Sequence, residues 1–194
     1  MLITKEFEVT EPVEKVWRFF GDIPQVAACL PGAELTEDLG GDTYKGRVSI
    51  RMGPVRLRFA GTADITERDE DAKRIVVNAS GADERGRGRA SMVVSARLWR
   101  SGRGTRVGVT QDLQVSGAAA QYGRGMISDV SSVLMRDFAV NLQSGIARQE
   151  RGEPLDASAP ATSEASGLAV GLRAAMMALR RVFRRFFLPY QATS

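Results

Sequence analysis

Hydrophobic and polar positions change their spacing five times along the chain. Met1 to Val9 alternates, the period-two pattern of a first strand. Glu11-Pro12 then opens a helix, with Pro12 at an early position where a missing N–H costs nothing. Val13, Val16, Trp17 and Phe20 fall at i, i+3, i+4 and i+7, one apolar helical face, and Gly21 ends it. A second short helix is predicted from Pro24 to Ala28, stopped by Pro31-Gly32.

From Glu34 to about Val115 the period is two. Val55, Leu57, Phe59, Gly61, Ala63 and Ile65 alternate with Arg56, Arg58, Ala60, Thr62, Asp64 and Thr66, a long strand with one dry face. Ile75, Val77 and Ala79 repeat the pattern, as do Ala90 through Leu98 and then Val107 through Val115. Gly40-Gly41, Gly53-Pro54, Asp69-Glu70-Asp71, Gly86 to Gly88 and Ser101 to Gly104 punctuate these runs as hairpin turns. About six consecutive antiparallel strands result. A long helix is predicted from about Ala118 to Arg148, its stripe made of Ile127, Val130, Leu134 and Phe138 with Met126 and Val133 beside it. Strand, two helices, a run of strands and a long helix describe an α+β domain over 1–150. A curved sheet closed on its concave side by one helix answers that order.

Residues 151–166 are rich in Pro, Ala, Ser and acids without periodicity, a flexible linker that spans roughly 20–25 Å root-mean-square. Over 167–190 a helical period returns. Leu168, Leu172, Met176, Leu179, Val182, Phe183, Phe186 and Phe187 take one side, and Arg173, Arg180, Arg181, Arg184 and Arg185 the other. Each arginine would cost ~2.5–3.5 kcal/mol near mid-bilayer, so the segment reads as lying in a membrane interface rather than crossing it. Packing on a partner protein is the competing reading.

Charge sharpens this. The net charge is +4, yet 1–150 holds 21 basic and 20 acidic residues, whereas 167–194 holds five arginines and no acid. The basic character belongs to the tail, and anionic lipid is the partner it implies. The aromatic face argues against nucleic acid.

The candidate chemistry is sparse. With no histidine and one cysteine, the usual zinc sites and every Ser-His or Cys-His nucleophile are excluded. No phosphate-binding glycine loop or dinucleotide fingerprint occurs. Neither a catalytic residue nor a metal ligand is assigned, and no covalent cofactor is expected. Met1 to Glu6 shows no apolar leader core, so a cytoplasmic protein associated peripherally with the cell membrane is expected. Cys29 between Ala28 and Leu30 reads as a small buried hydrophobe, Trp17 as core, and Arg85, Arg87 and Arg89 as a solvated hairpin. Phe59 and Met92 read equally well as core or as a ligand wall.

Three segments together resemble one family. They are Pro12 to Trp17 with Asp22-Ile23-Pro24 and Cys29-Leu30-Pro31-Gly32-Ala33-Glu34; Gly53 to Phe59 with Gly61-Thr62-Ala63; and Gly117 to Gly125. They are similar to the carbon monoxide dehydrogenase G-subunit family, within the START-like, helix-grip superfamily. The resemblance covers roughly residues 1–150. It implies a helix-grip fold with an apolar cavity, and an accessory role beside a molybdenum-containing carbon monoxide dehydrogenase. It also implies a quinone such as menaquinone as cargo, and a link to the membrane. Combined with the strand alternation and the helical stripe, it places the cavity between Phe59, Met92 and Val94 on the sheet and Tyr122, Met126 and Val130 on the long helix. Leu30 and Pro31 stand near the opening, and the small residues of 117–125 leave room at one end. A recruitment or assembly adaptor with a filled core, and a helix-grip enzyme, are the alternatives. The enzyme needs a polar cluster inside, where the dry strand faces offer little beyond Gln111.

Overall fold

The computed structural model describes residues 1–153; the rest of the expected linker and the 167–190 helix lie outside the described residues. The alternating segments pair in sequence order. β1 (Leu2–Val9) leads to α1 (Val13–Phe20) and α2 (Ile23–Cys29), then to β2 (Ala33–Gly40), β3 (Thr43–Met52), β4 (Val55–Asp69), β5 (Arg74–Asp83), β6 (Arg89–Ser101) and β7 (Gly104–Val115). The sheet is antiparallel throughout, in the order β1-β7-β6-β5-β4-β3-β2. The two short helices therefore carry the chain from one sheet edge to the other. Asp22 caps α2, its Oδ1 accepting from the Gln25 backbone N–H at 3.2 Å.

The long helix starts later than its periodicity predicts. Gly117–Tyr122 form a 3-10 turn, and α3 runs over Gly123–Glu150. Gly117 and Gly123 adopt φ of +69° and +71°, a region that glycine alone enters freely, and they bracket the turn.

Two apolar clusters hold α3 against the sheet. The first joins Phe138, Leu142 and Ile146 of α3 to α1, Cys29, and Ile75, Ala96, Leu98, Val107 and Val109 of the sheet. The second joins Val130, with Met126, Ile127 and Leu134 beside it, to Leu57, Phe59 and Ala119. None of the described helices is long and apolar enough to cross a membrane.

Candidate functional site

Cross-strand register decides what lies between the two clusters. On the concave face Gly46 stands opposite Gly61, Gly61 opposite Gly81, and Gly81 opposite Ala90. The next row is Tyr44, Ala63, Ala79, Met92 and Leu113. All nine residues are half-buried, although they face inward. The rows on either side hold larger side chains: buried Leu57 and Phe59 toward one end, and toward the other half-buried Ile65, Val77 and Val94, followed by buried Ile75 and Val109. A trough with a glycine and alanine floor therefore crosses the middle of the sheet beneath α3. The glycines are obligatory where strands approach closely. A Cβ on Gly61 would meet the Ser80 carbonyl oxygen at 1.9 Å.

A polar contact marks the trough's side. Gln111 of β7, opposite Val94 and 8% exposed, accepts at Oε1 a hydrogen bond from the Ser131 hydroxyl of α3 at 3.1 Å. Asp129 of α3 is buried as well. The rest of the floor is apolar apart from Tyr44 at its β3 end, so a ligand meets few hydrogen-bonding positions within hydrocarbon.

The structure brings only some of the expected lining together. Phe59, Tyr122, Met126 and Val130 do meet, but as a packed cluster with Leu57 and Ala119. Of the small residues at 117–125, Ala119 is 6% exposed and packed into that cluster, whereas a Cβ on Gly123 would meet nothing within 4 Å. Met92 lines the trough; Val94 packs on the first cluster. The Leu30 side chain is exposed at the surface and Pro31 is half-buried. Their loop is clamped between sheet and helix: the Ser49 N–H donates to the Gly32 carbonyl at 2.8 Å, and Asn141 Nδ2 of α3 donates to the Cys29 carbonyl at 3.0 Å. Sequence reasoning missed Tyr44, Gly46, Ala79 and Gly81 as floor residues. The available signal was glycine inside alternating strands.

The remaining groups serve the fold. Burial pushes the Cys29 thiol up to about 12, away from a reactive thiolate. Trp17 lies in the core, its Nε1 donating to Glu70 and its ring 5.6 Å from Lys73 Nζ. Arg87 turns inward instead of into solvent. Its Nε and Nη2 donate to the two oxygens of buried Asp83 at 2.8 and 2.9 Å, and Nη2 reaches the Arg56 carbonyl at 2.9 Å. The guanidinium, helped by backbone N–H groups of Arg58, Arg87 and Arg85, holds the Asp83 carboxyl well below the usual carboxylate range. The Arg87 carbonyl then accepts from Ala118 N–H at 2.7 Å, tying this hairpin to the 3-10 turn. A crevice of about 570 Å³ at the β1 edge and one of about 370 Å³ beside Trp17 lie away from the trough. Charged side chains such as Glu8 and Arg136, or Arg18 and Glu70, line them.

A model of the carbon monoxide dehydrogenase G-subunit (CoxG) family matches residues 6–147. No curated protein matches the sequence. Among solved structures, a conserved protein from Geobacillus kaustophilus is similar at 23% identity and a TM-score of 0.69, over 77% of this chain and 97% of that one. The ZhuI aromatase/cyclase from Streptomyces sp. R1128 is similar at 15% identity and a TM-score of 0.56, over 79% and 99%. A protein from Rhizobium leguminosarum follows at 15% and 0.54, over 76% and 95%. These likenesses establish the helix-grip fold. One of them is a cyclase, so the fold alone does not decide whether a member is an enzyme.

Proposed function

The chain belongs to the carbon monoxide dehydrogenase G-subunit (CoxG) family, and from that premise we propose that it is a non-catalytic carrier of an apolar molecule. The cargo is a quinone such as menaquinone, carried between the membrane and a molybdenum-containing dehydrogenase of the carbon monoxide dehydrogenase type. The 167–190 segment holds the domain at anionic lipid.

The trough carries this reading. Inward-facing residues that stay half-buried between two packed clusters supply an apolar surface that a ligand can cover. Each Å² removed from water favours binding by about 25 cal/mol. Gln111 suits a ring carbonyl: with Oε1 engaged by Ser131, its amide N–H is the donor a quinone oxygen needs. Two of the groups that could do chemistry have structural tasks, Cys29 as buried thiol and Asp83 as the partner of Arg87.

The test is native mass spectrometry of the full-length protein purified from its own source, followed by solvent extraction. A bound quinone at near one per chain is expected. Protein that is folded yet free of any apolar molecule, and that fails to take up a quinone from vesicles, replaces the carrier with the adaptor. The close packing around Ala119 is the observation that favours that second reading.

A further inference from the structure

The end of the sheet formed by the β3–β4 and β5–β6 turns carries a group of arginines without counter-ions. Residues 47–58 contain four arginines and no acidic residue. Arg51 of β3 stands directly opposite Arg56 of β4 on the convex face, and Arg58 lies opposite Ser49 on that same face. Like charges directly opposed weaken a strand pair, so the arrangement needs a reason outside the sheet. Arg47 is paired with Glu84 at 3.2 Å and Arg87 with Asp83 at 2.8 Å. Among the described residues Arg51, Arg56, Arg58, Arg85 and Arg89 form no ion pair, and all but half-buried Arg51 are exposed. The tip between them, Gly53-Pro54, is exposed and uncharged. At the opposite end the β4–β5 turn holds Asp69, Glu70 and Asp71, and the basic residues beside it are paired, Lys73 with Glu70, Arg68 with Asp42 and Arg74 with Glu67; the neighbouring β6–β7 turn carries Arg103.

We propose that this arginine end is a second membrane-docking face, which sets the domain on an anionic lipid surface with the acidic turn pointing away. Convex strands bearing free guanidinium groups suit a flat array of phosphates better than a peptide, which needs a groove. The chain carries a second arginine-rich segment over 180–185, and one anionic plane can meet both. The inference rests on the reading that the protein works at a membrane.

The experiment measures partitioning of the full-length protein onto phosphatidylcholine vesicles containing phosphatidylglycerol, at low and at high salt. Three proteins are compared: the parent, the triple change Arg51→Glu, Arg56→Glu and Arg58→Glu, and the tail change Arg180→Glu, Arg181→Glu, Arg184→Glu and Arg185→Glu. The hairpin triple should keep the parent's Tm, bind at least about tenfold more weakly at low salt and lose less on adding salt. The milder triple to Gln should weaken binding in the same direction, which separates the charge effect from any folding defect. If the parent and both hairpin triples partition equally while the tail change abolishes binding, the face is not a lipid surface, and the tail reading stands. Equal partitioning with weaker affinity for the purified dehydrogenase assigns the face to a protein instead. A parent that ignores vesicles overturns both this inference and the membrane part of the proposed function.

Discussion

Gly61 of β4 lies directly opposite Gly81 of β5, so two neighbouring strands present no side chain at the middle of the concave face. Ala63 and Ala79 face each other one row along. With Gly46 and Ala90 completing the glycine row, the trough between the two clusters is therefore a property of small residues.

Ala79→Leu should fill the trough. Ala79 is half-buried between Ala63 and Met92, so the added carbons occupy open space instead of compressing a packed wall. The expected result is loss of most of the extractable apolar ligand with a Tm within a few degrees of the parent. Unchanged occupancy would place the ligand elsewhere. Ala119→Trp is the contrast: it overpacks a buried site and should cost about 1–3 kcal/mol in urea unfolding.

Gln111→Leu tests the polar position beside the trough. Removing its amide should weaken binding of a quinone by roughly three- to tenfold, the value of one hydrogen bond. It should leave unchanged, or improve, binding of a hydrocarbon chain lacking the carbonyls. Titration of both ligands by fluorescence quenching separates the outcomes; equal losses for the two would make Gln111 a packing residue only.

Asp83 predicts an acid-sensitive hairpin. Its folded carboxyl titrates below its unfolded value, chiefly through Arg87, so its contribution to stability is present above about pH 4. That contribution is lost as the pH falls toward the folded value. The parent should lose Tm more steeply between about pH 5 and 2 than Asp83→Asn does. Arg87→Ala should lower Tm at neutral pH by leaving a buried carboxylate without its partner. Parallel Tm profiles for the parent and Asp83→Asn would refute the assignment.

Cys29 should be silent until the protein unfolds. A thiol 1% exposed and pushed up to about 12 holds almost no thiolate at mildly alkaline pH, so an aromatic disulfide reagent should react with the native protein far more slowly than in urea. Cys29→Ser should leave ligand binding intact while lowering stability. Rapid native labelling, or loss of binding in folded Cys29→Ser, would return the thiol to the functional groups.

The elements of the domain are legible in the chain's own spacing. Alternation along 55–65 and 90–98, turn glycines between the runs and the Val130–Phe138 stripe are local patterns, readable because side-chain direction repeats every two residues in a strand and every 3.6 in a helix. The family motifs in 12–34, 53–63 and 117–125 supplied the helix-grip fold. The site is a product of tertiary packing. Which glycine faces which is set by strand register, and register depends on pairings between residues far apart in sequence, such as Gly61 with Gly81. Phe59 and Met92 sit in the same alternating pattern, yet the first is packed around by Val130 and Ala119 while the second stays half open. The difference is where α3 comes to rest over the sheet. The inward turn of Arg87 follows the same logic: a side chain among alternating glycines looks solvated until Asp83 is brought beneath it. Local spacing specifies what each segment is, whereas the space left between segments is a remainder of long-range packing and belongs to no segment alone.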